Sequence, residues 1–294
     1  MTLATQRLPD RQLQTLEDAY GRARAHARLT LLSGLLVLAI CLGLAAVATD
    51  IRPGVFASRL GTFTSYFDRI LMLDSGERAW RDPVEWFWGW KKWLRLLGDT
   101  LVIAYVGTIL GSLGGFLVCF VASANLSSKW ACWVARRFLE VLRTVPEIVF
   151  ALVFVIAFGL GPLPGVLALA IHTMGALGKQ YADVVENIDK RPVEGLRAAG
   201  ANWVETVRYG ALPQVLSNFI SYTLLRFEIN VRGASVMGFV GAGGIGQELL
   251  LSIRKFYYSD VSAILILIIL TVFAIDMITA RLRNMFISQR EGER

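Results

Sequence analysis

Charge is scarce in this sequence: only 18% of its 294 residues are Asp, Glu, Lys or Arg, against roughly 25% in an average soluble domain. Histidine is nearly missing, with two in the whole chain. No His-Glu-x-x-His spacing occurs and no acid/base pair sits on adjacent turns, which argues against a membrane-embedded hydrolase. The three cysteines, Cys41, Cys119 and Cys132, have no Cys-x-x-Cys spacing, so neither a disulfide framework nor a metal site is expected. The first 28 residues lack the early apolar run and small-residue cleavage pattern of a signal peptide. They read as a polar, helix-prone tail.

What the chain has in excess is apolar sequence, at 55% of residues with a mean hydropathy of +0.53. It is clumped into windows of about 20 residues, the length that crosses a hydrocarbon core of ~30 Å. The reading is an all-α polytopic membrane protein with about six transmembrane helices, near 29–48, 100–122, 138–159, 165–185, 213–236 and 261–280. The net charge of +7 then reports topology rather than nucleic-acid binding. Lys and Arg concentrate in the N-terminal tail, in the second and fourth loops and in the C-terminal tail, which places both termini in the cytoplasm. The remaining long loop, 49–97, carries Trp80, Trp86, Trp88, Trp90 and Trp93 beside Lys91, Lys92 and Arg95. That mixture predicts an interfacial helix over 83–97, seated among lipid headgroups. Gly107, Gly111 and Gly115 form a stripe that lets another backbone approach, either from this chain or from a second copy.

The fourth loop, 186–212, reads as two short cytoplasmic helices joined by a turn at Gly200, with Pro213 opening the next span. It resembles the coupling loop of bacterial ABC importer permeases, whose pattern is E-A-A, three residues, G, nine residues, I, one residue, L-P. Glu194, Gly200, Leu212 and Pro213 match; Gly195 and Leu196 replace the two alanines and Gly210 replaces the isoleucine. Around Leu142–Glu147, Ile171–Lys179, Arg226–Asn230 and Val240–Gly246 the sequence is similar to phosphonate (or phosphite) importer permeases, over about residues 95–285. That resemblance implies a type I ABC importer permease fold in the bacterial inner membrane, with a transmembrane domain over 98–281, a first helix plus Trp-rich segment over 29–97, and tails at 1–28 and 282–294. It implies a homodimer, two cytoplasmic ATPase subunits and a periplasmic solute-binding protein as partners, with lipid around it and no nucleic acid. It also implies that ATP and Mg are bound by the partner ATPase: Gly178-Lys179-Gln180 lacks the hydroxyl, and Thr173 stands where a P-loop needs glycine.

Charged residues inside the fifth span call for a reason, since each costs at least ~2.5–3.5 kcal/mol near the bilayer centre. Glu228 and Arg232 are spaced to pair on one helix face. Arg226 points elsewhere, towards a carboxylate on a neighbouring helix or towards an anion in a translocation path. In a two-fold dimer, two such guanidiniums suit a phosphonate. His172 is a further pathway candidate, or simply a hydrogen-bonded helix histidine. Gly241, Gly243, Gly244 and Gly246 form a bend, with gating as its expected role, or expose amides to an anion. No residue is expected to be catalytic, to bind a metal or to hold a cofactor. The competing readings are a permease for another small solute, such as a methionine-type system, and an ion-coupled secondary carrier, which would show duplicated halves that this chain lacks.

Overall fold

The computed structural model describes residues 10–49, 53–73 and 75–291, and the chain divides into two units, 1–65 and 66–294. In the first unit α1 (Asp10–Ala48) runs unbroken for 39 residues, about 58 Å at 1.5 Å per residue. Its stretch from Ala19 to Ala48 is long and apolar enough to cross a membrane. A second helix, α2 (Pro53–Ile70), follows.

The second unit is where the core lies. After a single antiparallel bridge between Met72 and Arg78, Asp82 accepts from the amides of Val84 and Glu85 and caps the one-turn helix α3 (Pro83–Trp86). Pro83 sits in its first turn, where no donor is needed. The chain kinks at Phe87–Gly89 and enters α4 (Trp90–Cys119). The interfacial helix expected over 83–97 is therefore not one element. Its second half is the beginning of the span, and two of its tryptophans have hydrogen-bond partners within the chain. Trp86 donates to Ser262 at 2.9 Å, Trp88 donates to Asp260 at 2.8 Å, and Trp93 is buried. The start of the last helix thus supplies acceptors for two indole N–H groups.

Two helices follow, α5 (Lys129–Thr144) and α6 (Glu147–Phe158). The third span, expected as one helix over 138–159, is broken between them by an 81° bend. Proline explains it: Pro146 has no N–H to continue the ladder and pushes the preceding residue out of the helical region. Val145 is extended, at φ −76 and ψ 122. Next come α7 (Pro162–Glu186) and α8 (Lys190–Ala198). The three-residue α9 (Trp203–Glu205), a π-helical turn at Thr206–Ala211 and α10 (Leu212–Met237) run on from one another. The expected second loop helix is thus the root of the fifth span. A Gly-rich break leads to α11 (Ile245–Arg254) and then α12 (Tyr258–Glu291).

By length and hydropathy, three helices cross a membrane (19–48, 90–119 and 258–285), and two bent pairs pass as broken spans: α5 with α6, and Trp203–Val240 with α11 at 45°. At 25 residues, about 37 Å, α7 is also long enough, but it carries His172, Lys179, Asp183 and Glu186. It is the centre of the bundle. The glycine stripe of α4 lies against it: a Cβ on Gly107 would meet Leu169 Cβ at 2.7 Å, one on Gly111 the Ala170 carbonyl at 2.6 Å, and one on Gly115 the Gly178 nitrogen at 2.9 Å. So the stripe's partner is in the same chain. On another side, a Cβ at Gly175 would meet the Leu139 carbonyl of α5 at 2.8 Å. Without side chains between them, backbones close to van der Waals distance, the main source of helix affinity in lipid.

Candidate functional site

The bend at Pro146 creates the first feature of the site. The Val145 carbonyl loses its usual helical acceptor role, because the Val149 amide bonds to Pro146 instead, at 3.0 Å. His172 of α7 takes it up, with Nδ1 3.1 Å from that oxygen. A carbonyl only accepts, so Nδ1 carries the hydrogen and Nε2 faces outward. Opposite Nε2, at 3.6 Å, stands the Glu147 carboxylate, in the first turn of α6, where the helix N-terminus favours negative charge. Its other oxygen lies 3.6 Å from where a Cβ on Gly233 of α10 would sit.

Arg226 completes the group from α10. Its Nε donates to Thr173 Oγ1 at 3.4 Å, and Glu147 is its charged neighbour. Thr173 also accepts from buried Asn230 at 2.9 Å, and Asn230 reaches Thr108 of α4 at 2.8 Å. Polar side chains from α4, α7 and α10 therefore hold the root of the arginine. Its two terminal nitrogens make no hydrogen bond among the described residues. Thirteen residues beyond Pro213, the guanidinium is about 20 Å into the span. Of the two options open for Arg226 from sequence, the carboxylate on a neighbouring helix is present.

Glu228 and Arg232 form the expected i, i+4 ion pair but are not part of this group. Two residues along a helix turn the side chain to the far side, and there Asp276 of α12 is their neighbour. Arg232 instead borders a separate apolar cleft of 410 Å³ with Ile268, Val272, Phe273 and Asp276. From the arginine site a polar lane descends α7 and α10. One turn below Arg226 lies Tyr222, which with Gln180, Asp183, Asn187, Asp189 and Asn218 lines a cleft of 540 Å³ at the coupling-loop end.

In the coupling loop, Asp189 caps α8 through the Arg191 amide at 3.0 Å, and Gly200 makes the turn at φ +86, a conformation glycine adopts without strain. Asn202 and Glu205 close a capping box. Val193 and Leu196 pack down on the π-helical turn: a Cβ on Gly210 would meet Leu196 Cδ1 at 3.1 Å and Val193 Cγ2 at 3.3 Å. The two departures from the resembled pattern are therefore complementary, a larger residue at 196 facing a smaller one at 210. Glu194 and Gly195 lie on the exposed side. Leu212 and Pro213 open α10. Beneath the loop, Glu186 accepts from the Ala124 amide at 2.6 Å and pairs with Arg136, while Trp203 donates to the Leu126 carbonyl at 3.0 Å.

At the opposite end, Gly241, Gly243 and Gly244 all have positive φ, and the Gly161 amide donates to the Gly241 carbonyl at 3.1 Å. Gly246 packs against the Ser235 carbonyl. Three amides of the bend are used within the protein: Gly241 donates to the Gly238 carbonyl at 3.0 Å, Ala242 to the Met237 carbonyl at 3.3 Å and Ile245 to Thr100 Oγ1 at 2.9 Å. Among the residues not singled out from sequence, Glu147 faces His172 and Glu186 ties α7 to Arg136 and the Ala124 amide. Their signal was a carboxylate next to a proline and a carboxylate at a helix end.

Residues 107–290 match the family model described as the inner membrane component of binding-protein-dependent transport systems. The chain is similar to a phosphite transport system permease of Stutzerimonas stutzeri, 42% identical over 201 residues covering 68% of this chain and 73% of the relative. A putative cryptic phosphonate transport permease of Escherichia coli is 53% identical over 121 residues, 41% of this chain and 99% of that one. Among solved structures, the inward-facing methionine ABC transporter aligns with a TM-score of 0.57 at 20% identity, covering 70% of this chain and 98% of that one. At that identity the likeness concerns the fold.

Proposed function

The chain belongs to the family of inner-membrane components of binding-protein-dependent transport systems, and from that premise we propose that it is the permease of an importer for phosphite or a related phosphonate. It is a transport subunit and resides in the inner membrane. The observation that carries the choice of cargo is Arg226: a guanidinium deep in a span, rooted on Thr173, with its terminal nitrogens unbonded among the described residues. A planar fork of this kind suits two oxygens of a phosphorus oxyanion. Similarity to a phosphite permease at 42% identity supports the same class.

In the proposed complex two copies of the chain face each other across the lane formed by α7 and α10. A periplasmic binding protein delivers the anion, and two ATPase subunits dock beneath α8, with termini and coupling loop on the cytoplasmic side. ATP and Mg bind to those subunits, not to this chain. Glu194, Gly195 and Ala198 present the exposed side of α8 to the ATPase, while Val193 and Leu196 fasten it to the root of α10. A movement of the ATPase surface thereby reaches Arg226 through one continuous helix. The Gly241–Gly246 bend is the external gate. Weak attraction at Arg226 is what transport needs, since a cargo held tightly would not leave.

The test is uptake of labelled phosphite into proteoliposomes, with and without the ATPase and the binding protein. Uptake that requires ATP and both partners is the expected result. Uptake by the permease alone, driven by an ion gradient, would overturn the reading.

A further inference from the structure

Glu147 is an odd neighbour for an anion site. A carboxylate beside the guanidinium repels a fully deprotonated oxyanion, yet it is built in with care. It stands at a helix N-terminus, 3.6 Å from His172 Nε2, with its other oxygen facing Gly233 of α10. About a third of its side chain is exposed, at 35%, so it is not spent on Arg226 alone. An ionised carboxylate has only acceptors to offer. The ligand group it can welcome is a donor.

Building on the reading of Arg226 as the anion contact, we propose that Glu147 selects an oxyanion that still carries one proton. Arg226 donates to two unprotonated oxygens, and the Glu147 carboxylate accepts a hydrogen bond from the remaining P–OH. Phosphorus oxyanions have such a form near neutral pH, the second proton of a phosphate ester leaving at pH ~6. Sulfate has no proton to give and is refused by the same oxygen. Glu147 is a specificity-determining residue of the permease, acting after delivery by a binding protein. The charged and titratable groups facing it are His172 from α7 and Arg226 from α10; on α6 it stands alone.

The experiment is phosphite uptake by the complete transporter at pH 6 and pH 8, read as the ratio of variant to wild type so that the pH responses of the ATPase and binding protein cancel. Glu147→Gln supplies an amide that also donates to an unprotonated oxygen. Its ratio is expected to rise up to about 50-fold between the two pH values, tracking the lost monoanion. Glu147→Ala, which removes the carboxylate without supplying a new donor, should move the ratio the same way, and it serves if Glu147→Gln does not assemble. Glu147→Asp, retaining the carboxylate, should keep the ratio flat. A ratio for Glu147→Gln and Glu147→Ala that is constant within twofold overturns the proposal. So does one that falls with pH, which would make the His172 charge the sensitive element. Arg226→Gln separates this from the underlying reading: full uptake in that variant removes the anion site altogether, whereas its loss beside a flat Glu147→Gln ratio removes only the role of Glu147.

Discussion

The two faces of α7 are built by opposite means. Towards α4 the seam is closed by side chains that are absent, with Gly107, Gly111 and Gly115 meeting Leu169, Ala170 and Gly178. Towards α6 and α10 the same helix presents His172 and Thr173, and the contact is made by charges that stay half-paired. In lipid there is no hydrophobic force between helices, so a permanent joint depends on closeness, and glycine provides it. A surface that must part and re-form around a cargo is better served by groups that accept either each other or an anion. The coupling helix repeats the first device on a small scale, with Gly210 receiving Leu196.

Filling the closed seam should have the largest effect. Gly111→Leu places a side chain where even a Cβ would lie 2.6 Å from the Ala170 carbonyl and from Thr173 Cβ. Overpacking of this sort costs about 1–3 kcal/mol or more, and backbone atoms have no rotamer to yield. We expect loss of the monodisperse complex on size exclusion. Recovery of normal amounts with wild-type uptake would break the contrast between the faces. Next in size is Arg226→Gln on the open face. It removes charge-assisted hydrogen bonds worth about 1.5–3 kcal/mol each, so uptake should fall about 10- to 100-fold while the complex assembles normally. Arg226→Lys should recover part of the rate, keeping the charge without the fork.

The coupling contact gives a finer test. Gly210→Ile should strike Leu196 and Val193 and lower transport-coupled ATPase activity several-fold, by about 1–3 kcal/mol of strain. Leu196→Ala combined with Gly210→Ile moves the volume to the other partner and should restore most of the activity. If the double variant is as poor as the single one, the two departures are not complementary. The measurement is ATPase activity of the assembled transporter, compared as a double-mutant cycle.

Much of this was legible from spacing. The order of spans follows from apolar length, the turn at Gly200 and the start of α10 at Leu212 and Pro213 from glycine and proline placement, and the Glu228–Arg232 pair from i, i+4 geometry. The stripe at Gly107–Gly115 announced a close approach but not the partner, because a missing side chain carries no address. Hydropathy drew the third span as one helix over 138–159 because the apolar run of 148–158 outweighs Glu140, Arg143 and Glu147; only the local effect of Pro146 on Val145 reveals the 81° bend. That bend also explains why His172 and Glu147 meet, so their pairing depends on a tertiary consequence of one residue. The partners of the tryptophans were hidden for a related reason. Composition beside Lys91 and Lys92 marks the segment but not the acceptors near α12 that take the N–H groups of Trp86 and Trp88.

The smallest effect is expected where a charge pair decorates a joint made by other means. α11 is fastened to α4 twice: by Lys92 with Glu248 at 2.6 Å and by Thr100 accepting from the Ile245 amide at 2.9 Å. The lysine side chain is 59% exposed, and exposed ion pairs contribute about 0.2–1 kcal/mol and weaken with salt. The amide of Ile245 is buried, and leaving such a donor without a partner costs about 1–3 kcal/mol. Lys92→Met should therefore change uptake by less than about threefold, with the difference shrinking as ionic strength rises, while Thr100→Val should be the more damaging of the two at any salt. The opposite ranking would mean that the bend beside Gly244 is held by charge, and that the outer end of the molecule works like the Arg226 face rather than like the glycine seam.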